Sequence, residues 1–376
     1  MKFNLSSKTF YSYAAAVGKV VNPKSTIPVL NNFLLSLNDN TLSITGCDIE
    51  NLLTATLPVE EAEGSGSFCV DAARLVSLLK EIPDQGLTVI VDDDLKVTIK
   101  YQNGECEFVA LNAADYPEYK KKEDDTDEPQ SFTISASALT KGIDNTIFAS
   151  SNDDFRPMMM GLFLDIKPDS VTFVATDTRK LVRYIDSNIK PGITTSCIVP
   201  QKPAQIMRTV FNDDDEVTVS LTRKSATLKN GSYTFNCRFI DSVFPDYNRV
   251  IPRNNQLTLT ADRVALLNVV RRMSLFITQD YGLEKFKITP SKVEVKVEDF
   301  NMMSKALESL PVDFTGEQLV IGFNAPFLIE ILNTLKSTDV IINLSDPSRP
   351  GLFRPSEEPE GTELVMLLMP MTVGEF

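Results

Sequence analysis

The segment KFNLSSKTF (residues 2–10) has two counterparts further along the chain, SFTISASAL (131–139) and QLTLTADRV (256–264). Each segment alternates apolar and polar residues, which is the period of a half-buried strand. Each then passes a Ser, Thr or Asp that can cap a helix and enters an amphipathic stretch. The three segments start 129 and 125 residues apart. The chain is therefore predicted to contain three repeats of one strand–helix plan.

A second strand–helix pattern lies inside each repeat. It is carried by GSFCVDAARLVSLLKEIP (66–83), TSCIVPQKPAQIMRTVF (195–211) and EQLVIGFNAPFLIEILNTL (317–335). When the strand positions are aligned, this pattern follows the first one by 65, 65 and 63 residues. Short alternating runs with Gly-containing turns lie between the helices and indicate hairpins. We therefore predict an α+β fold of three repeated domains, each built from two βαβββ halves.

Two joints separate the repeats. Residues 120–130, KKKEDDTDEPQ, form a charged, proline-containing linker with nothing to bury. The second joint is IPRNN at 251–255, and the similar motifs YPEY (116–119) and FPDY (244–247) close the first two repeats. The expected domains are residues 1–122, 130–251 and 254–376.

The composition favours a soluble protein that is not an enzyme. Of the 376 residues, 43% are hydrophobic and 23% charged, which is ordinary for a folded soluble chain. Histidine, the commonest general base and metal ligand, is absent, and the five separated cysteines fit reduced thiols. No run approaches the ~20 apolar residues of a membrane span, and the N-terminus lacks a secretion signal. We expect a cytoplasmic protein with no catalytic residues, metal or cofactor.

The charges are distributed unevenly along the chain. The formal net charge is −14, from 37 basic and 51 acidic residues. Helices are expected at roughly 7–21, 71–82, 135–148, 200–211, 260–276 and 324–337. These segments carry eleven basic and five acidic residues, a surplus of +6, so the remainder of the chain carries −20. If the helices share one side, that side is basic and suits phosphate backbones; ordinary solvated helix faces are the alternative.

Five motifs, taken together, resemble one family. They are STIPVLNNFLL (25–35), LNAADYPEY (111–119), FVATDTRKL (173–181), FPDYNRVIP (244–252) and MPM (369–371). In this order and at these separations they resemble the beta subunit of bacterial DNA polymerase III, the sliding clamp, over essentially the whole chain. The resemblance implies a head-to-tail homodimer closed into a ring around duplex DNA, with helices lining the hole and sheets outside. A ring that encircles DNA need not grip it, so the acidic net charge is no objection.

The resemblance also implies partners. They are a second copy of the chain, double-stranded DNA held without sequence specificity, the alpha subunit of the replicative polymerase, a clamp-loading ATPase, and other polymerases and repair proteins. The chain would be a processivity factor with no cofactor and no membrane contact. Partner proteins would insert short linear peptides into a groove between the second and third domains. The groove residues implied are Met159, Thr176, Thr178, Arg179, Leu181, Pro245, Arg249, Val250, Asn324, Phe327, Leu367, Leu368, Met369, Pro370 and Met371.

Two further sets of residues are expected to contact DNA and the second copy. Residues expected to face the DNA backbone are Lys24, Lys141, Lys202, Arg208, Arg271 and Arg272. Lys24 comes from the resemblance, at a loop position where the family has a basic contact, and the others come from the sorting of helix charges. The resemblance places Cys106, Leu275 and Phe276 at the joint between copies. Apolar residues at a sheet edge promote aggregation unless they are paired.

The groove residues are chemically suited to variable peptides. Methionines adapt to different side chains, and a proline fixes the local backbone. Arg179 and Arg249 can meet acidic or carbonyl groups on the ligand. The chain departs from the family in having Thr178-Arg179 where many relatives have Gly-His or Gly-Arg. It also has Thr372 and an extra GEF after MPM, so the peptide preference stays open.

Two other classes of function compete with a clamp. One is a repeat-built scaffold that binds proteins but not DNA, which would be favoured if the six helices did not share a basic face. The other is a hydrolase that uses carboxylates such as Asp213–Asp215 or Asp124 and Asp125. Those acidic runs lie in hydrophilic turns without partners at catalytic spacing, and no Gly-rich phosphate loop is present.

Overall fold

The computed structural model describes residues 1–117, 128–278, 282–299, 303–374 and 376. Within these ranges the chain forms six α-helices and 27 strands, and all strand pairs are antiparallel. A strand, a helix and three strands follow one another six times, with three short extra strands between them. The predicted α+β fold of three repeats, each with two βαβββ halves, is confirmed. Most of the expected linker at 120–130 lies outside the described residues.

The bounds of the elements follow the repeats. The first repeat comprises β1 (Lys2–Ser6), α1 (Ser7–Gly18), β2 (Asn32–Asn38), β3 (Thr41–Cys47), β4 (Asn51–Pro58), β5 (Glu60–Glu63), β6 (Gly66–Asp71), α2 (Ala72–Glu81), β7 (Gly86–Val91), β8 (Lys96–Tyr101), β9 (Gly104–Val109) and β10 (Leu111–Asn112). The second comprises β11 (Gln130–Ser135), α3 (Ala136–Thr146), β12 (Gly161–Lys167), β13 (Ser170–Thr176), β14 (Lys180–Asp186), β15 (Thr195–Pro200), α4 (Gln201–Val210), β16 (Glu216–Leu221), β17 (Ser225–Lys229) and β18 (Tyr233–Arg238). The third comprises β19 (Leu257–Asp262), α5 (Arg263–Met273), β20 (Leu283–Thr289), β21 (Lys292–Asp299), β22 (Ser304–Pro311), β23 (Asp313–Phe314), β24 (Leu319–Asn324), α6 (Ala325–Thr334), β25 (Asp339–Leu344), β26 (Gly351–Pro355) and β27 (Thr362–Leu368).

All six helices form where the patterns predicted them, but they are shorter. Their starts are fixed by side-chain caps: Ser6, Asp71, Asp262 and Asn324 each accept a hydrogen bond from a backbone N–H in the first turn. The predicted start of α5 at residue 260 is too early because β19 continues to Asp262, which is itself the cap. Polar caps at the junctions therefore decide where each strand becomes a helix.

The chain divides into two compact units that do not follow the repeats one by one. The first unit contains Met1–Thr140 and Lys202–Phe239, and the second contains Lys141–Gln201 and Ile240–Phe376. The first unit holds a five-stranded sheet, in the order β5-β1-β7-β8-β9, and a nine-stranded sheet, in the order β10-β6-β2-β3-β4-β18-β17-β16-β11. The second holds a nine-stranded sheet, β15-β12-β13-β14-β27-β26-β25-β19-β23, and a four-stranded sheet, β22-β21-β20-β24.

Each nine-stranded sheet is continuous across two repeats. In the first unit, β4 of the first repeat pairs with β18 of the second, with Asn51 opposite Cys237. In the second unit, β14 of the second repeat pairs with β27 of the third, with Leu181 opposite Leu367. Because the backbone hydrogen bonds of a sheet run without a break through these pairs, strands from neighbouring repeats share one surface.

The cores lie between helices and sheets and are apolar. Phe3, Phe10 and Phe33 are fully buried in the first unit, and Phe173 and Phe353 are fully buried in the second. Burial of a large apolar side chain contributes about 1.5–3 kcal/mol, so these positions stabilise the contact of helix and sheet. In the first strands of the first and third repeats, β1 and β19, the alternation seen in the sequence corresponds to alternating burial.

Candidate functional site

A tight turn between β13 and β14 forms one end of the candidate groove in the second unit. Asp177 organises this turn: its Oδ1 accepts hydrogen bonds from the backbone N–H groups of Arg179 (2.9 Å) and Lys180 (2.8 Å). The Thr176 hydroxyl donates to the Lys180 carbonyl at 2.8 Å and accepts from the Thr178 N–H at 3.2 Å. Thr178 takes a left-handed backbone conformation with φ of 79°. The turn is thus held by side chains at each step.

The C-terminal segment runs beside this turn. Strand β27 pairs with β14 along its whole length, and the Met369 N–H then donates to the Arg179 carbonyl at 2.8 Å. Two residues later the Met371 N–H donates to the carbonyl of Gly322 in β24, also at 2.8 Å. A side chain at Gly322 would collide with Val373, whose Cγ1 lies 2.4 Å from the position of a Cβ. The Met-Pro-Met stretch is therefore tied to β14 and β24 by backbone hydrogen bonds.

An apolar cluster lies along the same strands. We call it the second cluster; its buried members are Val174, Leu181, Ile198, Phe244, Tyr247, Leu352, Val365 and Leu367, with Met158, Phe163, Ile240 and Ile251 packed against it. The rings of Phe163 and Phe244 stack with centroids 4.5 Å apart. The Tyr247 hydroxyl donates to Asp165 at 2.9 Å, and burial raises the pKa of this tyrosine to about 12. The cluster is a well-packed apolar interior beside the turn, and its one phenol is hydrogen-bonded.

Lys180 is a site residue that the sequence reasoning missed. Its side chain is 5% exposed, and its ammonium lies 3.2 Å from Asp177, 2.8 Å from Glu330 of α6, and 4.2 Å from the centre of the Phe327 ring. A buried lysine needs such partners because an unpaired charge is strongly disfavoured away from water. A lysine in an alternating strand is usually expected to be solvated. The one sequence feature that could have indicated burial is the position of Lys180 directly after the turn that Asp177 organises.

The predicted groove residues fall into three classes of exposure. Thr176, Leu181, Leu367 and Leu368 are buried; Met159, Asn324, Phe327, Pro370 and Met371 are half-buried; Thr178, Arg179, Pro245, Arg249, Val250 and Met369 are exposed. Backbone pairing brings Leu181 and Leu367 together, and Met369 beside Arg179. Met159, Pro245 and Val250 are chain neighbours of Met158, Phe244 and Ile251, which belong to the second cluster or pack against it. The buried class belongs to the interior of the second unit, and the exposed class comprises the side chains that solvent reaches.

The residues predicted to face DNA differ in how far their charges are compensated. Lys24, Lys141 and Arg208 are exposed, and Arg271 is exposed and donates to the Asn333 side chain at 2.8 Å. The Lys202 ammonium donates to the Val20 carbonyl and to Asp48, both at 2.6 Å. Arg272 is paired with Glu308 on β22.

Two of these cations already have carboxylate partners. Lys202 and Arg272 therefore attract phosphate less than the sequence suggests, because a nearby opposite charge offsets their field. The pKa of Lys19 is lowered mainly by burial and to a smaller extent by the positive charge of the Arg208 guanidinium. Lys19 and Arg208 thus lie close enough in the first unit for their charges to interact.

The residues predicted at the joint between copies lie at free sheet edges. Cys106 is on β9, the last strand of the five-stranded sheet. Leu275 and Phe276, in the short 3-10 turn after α5, are 74% and 40% exposed. The Ser304 hydroxyl of β22 donates to the Phe276 carbonyl at 2.7 Å, which places this turn against the last strand of the four-stranded sheet.

The described part of the chain holds no group of three or more Cys, Asp or Glu side chains arranged for a metal ion. None of the helices in the described ranges has the length and apolarity that a membrane crossing requires. The acidic run at 213–215 contributes a structural contact instead: Asp215 accepts from the Asn212 N–H and from the Asn230 side chain.

Comparison with known proteins agrees with this fold. Residues 1–120, 133–246 and 248–372 match the models of the N-terminal, central and C-terminal domains of the DNA polymerase III beta subunit. The chain is 27% identical to a beta sliding clamp of Pseudomonas aeruginosa, over 97% of this chain and 99% of that protein. It is 24% identical to the beta sliding clamp of Escherichia coli, over 92% and 93% of the two chains.

Solved structures of clamps superpose closely on the chain. A sliding clamp from Pseudomonas aeruginosa, solved bound to griselimycin, has a TM-score of 0.91 at 26% identity and covers 99% of this chain and 100% of its own. Six βαβββ halves in three repeats, together with these matches, define a protein of the sliding-clamp class. The chain belongs to the family of the DNA polymerase III beta subunit. It is a DNA sliding clamp, a non-catalytic processivity subunit in DNA replication.

Proposed function

We propose that two copies of this chain close into a ring around duplex DNA and tether the replicative polymerase to it. In this proposal each copy contributes three clamp domains, residues 1–122, 130–251 and 254–376, with helices towards the DNA and sheets outside. The ring carries no sequence information, since it holds DNA by encircling it. The replicative polymerase alpha subunit, other polymerases and repair proteins dock through short peptides, and a separate clamp loader opens the ring in the cytoplasm.

The ring is supported by two strand edges, one in each compact unit, that pair with no further strand among the described residues and that expose apolar side chains between charged ones. Strand β9 ends the five-stranded sheet and has Val109 77% exposed; β22 ends the four-stranded sheet and has Leu307 57% exposed. Exposed apolar edges of this kind favour pairing with another strand. Cys106 on β9, with Leu275 and Phe276 beside β22, would lie in such a contact.

The opposite edges of the same two sheets are protected. Strand β5 carries Glu60, Glu61 and Glu63 and, unlike β9 and β22, exposes no large apolar side chain, so pairing along this edge is disfavoured. Strand β24 is met by the C-terminal segment through the Met371 and Gly322 bridge. Two different free edges on one chain support a head-to-tail contact, which gives a closed ring if the rotation between copies closes.

The oligomeric state tests the edge assignment. Leu307→Glu places a charge on β22 and should convert a dimer of twice the 41.8 kDa chain mass into a monomer, measured by sedimentation equilibrium. The control is Val264→Glu on α5, which is 48% exposed and away from either edge, and should leave the dimer intact. A Leu307→Glu protein that remains dimeric would exclude β22 from the joint.

Topological linkage tests the ring. The protein is loaded onto nicked circular DNA with a matching clamp loader, and the circle is then cut. Retention on the circle with release after cutting is expected, because the ring slides off a free end. Equal retention on both forms would favour direct binding or a scaffold over encirclement. Lys24, Lys141, Arg208 and Arg271 are the candidate backbone contacts, and their single replacement by Gln should shorten retention at raised salt only modestly.

The peptide groove is proposed along the second cluster and the Met-Pro-Met segment. It is supported by an apolar floor, by exposed Met369 and Val250, and by the exposed cations Arg179 and Arg249. The related clamp solved with griselimycin shows that a member of this family accepts a ligand. Polymerase binding should compete with a peptide that carries apolar anchors, and an absence of competition would place the polymerase contact elsewhere.

A further inference from the structure

Thr178 has a backbone conformation that a β-branched residue rarely adopts. Its φ of 79° lies in the left-handed region, where the Cβ of an ordinary residue is crowded. Glycine would occupy this position without strain. A threonine at this position is therefore expected to have a side-chain contact that offsets the strain.

The hydroxyl is not needed to form the turn. Ile49, 129 residues earlier, occupies the corresponding place between β3 and β4 with φ of 82°. There the Asp48 side chain accepts the Asn51 N–H at 2.9 Å, as Asp177 accepts the Lys180 N–H. An aliphatic β-branched residue thus completes the same turn in the first unit. Any role of the Thr178 hydroxyl must therefore come from the hydrogen bond that it makes outside the turn.

That contact is with Arg156. The Arg156 Nη1 donates to the Thr178 Oγ1 at 3.2 Å, and its Nε lies 3.7 Å from Asp153 Oδ2. The Arg156 side chain is half exposed, so the guanidinium is oriented but remains accessible. A guanidinium has five N–H donors in a planar fork, and these two contacts use only part of that capacity. The neutral Thr178 hydroxyl orients the guanidinium without offsetting its charge, whereas Asp153, at 3.7 Å, offsets part of it.

The position of this cation relates it to the groove. Arg156 is two residues before Met158, which packs against the second cluster, and Thr178 is three residues before Leu181, a buried member of it. An oriented cation at the border of an apolar surface selects a ligand that carries a carboxylate next to its apolar side chains.

We propose that Thr178 is a positioning residue that holds Arg156 at the groove so that this clamp prefers partner peptides with an Asp or Glu flanking their apolar anchor. The inference rests on the proposed peptide groove. It assigns a role to a threonine that departs from the glycine of many relatives.

Peptide binding with matched variants tests the inference. The probes are fluorescent decapeptides with a central Leu-Leu pair, in which one flanking position at a time is Asp or Asn, measured by fluorescence anisotropy with the full-length protein. In the wild type, Asp at one flanking position should bind about fivefold more tightly than Asn. Thr178→Val keeps the β-branch, as Ile49 shows the turn allows, but lacks the hydroxyl, so the Asp-to-Asn ratio should fall to about one.

Two further variants separate positioning from a general structural effect. Thr178→Ser restores a hydroxyl and should restore the preference, whereas Arg156→Gln should abolish it, with no added effect of Thr178→Val in the double variant. The readout throughout is the ratio of the Asp-peptide to the Asn-peptide affinity, because Thr178 is itself one of the proposed groove residues and its replacement changes the contact with both peptides. A preference that survives Thr178→Val, or a wild type without any preference for Asp, would overturn the inference.

The proposed groove fails in a distinguishable way. Met369→Asp changes an exposed groove residue and should weaken all peptides alike. If the wild type binds none of the peptides, or if Met369→Asp has no effect on them, the groove assignment is wrong. If Met369→Asp weakens peptides that show no Asp preference, only the role of Thr178 is wrong.

Discussion

The turn at residues 45–53 of the first unit and the turn at 174–182 of the second have the same backbone but different chemistry. Both place an aspartate whose side chain accepts a backbone N–H three residues later, and both force the residue after it to a φ near 80°. The first turn then continues with Asn51, held by Asp48, and the second continues with Lys180, held by Asp177 and Glu330. Repetition thus preserves the framework while single side chains change what it can bind.

The surfaces beside the two turns differ even more. In the first unit, Leu30, Cys47, Cys69 and Tyr116 form a small cluster next to a cavity of about 460 Å³. The cavity is lined by Leu34, Thr45, Leu52, Ser67, Ala113, Ala114, Tyr116 and Pro117. In the second unit, the corresponding positions of Leu34 and Tyr116 are Phe163 and Phe244, whose rings stack with their centroids 4.5 Å apart.

The neighbouring strand completes the contrast. Leu52 lies opposite Asn236 of β18, whereas Leu181 lies opposite Leu367 of β27, the strand that leads into Met-Pro-Met. The same position is therefore polar in one unit and apolar in the other. The groove proposed for the second unit would therefore depend on the partner strand β27 as much as on the turn.

Of the changes considered, removal of the C-terminal segment beside β14 should have the largest effect, because this segment is one wall of the groove proposed for the second unit only. Deletion of residues 369–376, of which Glu375 lies outside the described residues, removes the exposed Met369 and the hydrogen bond to Gly322. Polymerase binding should fall by at least about a hundredfold, since apolar anchors dominate such contacts. Surface plasmon resonance with immobilised polymerase measures it.

The first unit supplies the control for this deletion. Because β9 and β22 are untouched, the truncated protein should sediment as the same oligomer as the full chain. A variant in the first cavity, Thr45→Ala, should leave polymerase affinity unchanged. Undiminished polymerase affinity after the deletion would show that the second cluster is not the docking surface.

Loss of Lys180 should have the next largest effect, on stability. Lys180→Ala leaves Asp177 and Glu330 without their shared cation and should lower the free energy of unfolding by about 3 kcal/mol. The matched change Asn51→Ala removes only hydrogen bonds to Asp48 and should cost about 1 kcal/mol. Urea denaturation of both variants measures the difference, and equal losses would contradict a charge-based role for Lys180.

Glu284 offers a comparison between repeats inside the sheets. Its side chain is fully buried on β20. The equivalent positions on β2 and β12 are the apolar residues Phe33 and Leu162. Neither carboxylate oxygen of Glu284 has a hydrogen-bond partner among the described residues. Burial raises the pKa of Glu284 to about 9. The folded state therefore keeps a proton that the unfolded state loses above its ordinary pKa near 4.5.

The sign of the resulting pH dependence follows from that difference. Between about pH 5 and 9 the unfolded state gains from ionisation and the folded state does not, so wild-type stability falls as the pH rises. Glu284→Leu should raise the free energy of unfolding by about 2 kcal/mol at pH 7, with a larger gain at pH 9 and a smaller one at pH 5. Urea denaturation at the three pH values checks this, and a pH-independent gain would indicate that the carboxyl is ionised in the folded protein.

The smallest effect is expected at the two strained turn residues. Thr178→Gly and Ile49→Gly each relieve a left-handed conformation that costs a β-branched residue of the order of 1 kcal/mol. Each variant should therefore gain up to about 1 kcal/mol in the free energy of unfolding, measured by chemical denaturation. Thr178→Gly should gain less than its strain because it loses the Arg156 hydrogen bond. A destabilised Ile49→Gly protein would show that its exposed side chain contributes more than the strain.

Much of the site could be predicted and part of it could not. The proposed groove positions Leu181, Leu367 and Met369 follow from the family resemblance, and the structure places Leu181 opposite Leu367 on paired strands and Met369 beside Arg179. Lys180 was missed because its burial depends on Glu330 and Phe327, which are about 150 residues away in the chain. The partial neutralisation of Lys202 by Asp48 was missed for the same reason.

The sequence by itself determined the repeat, the six βαβββ halves and the approximate positions of the helices, because these depend on the order of residues only a few positions apart. Tertiary structure alone decided that β4 pairs with β18 and β14 with β27, and hence that each compact unit joins strands of different repeats. It also decided which charges are paired and which carboxyl is buried. Those outcomes depend on side chains that are far apart in the sequence and come into contact only in the folded sheets. A local sequence pattern carries no information about such contacts.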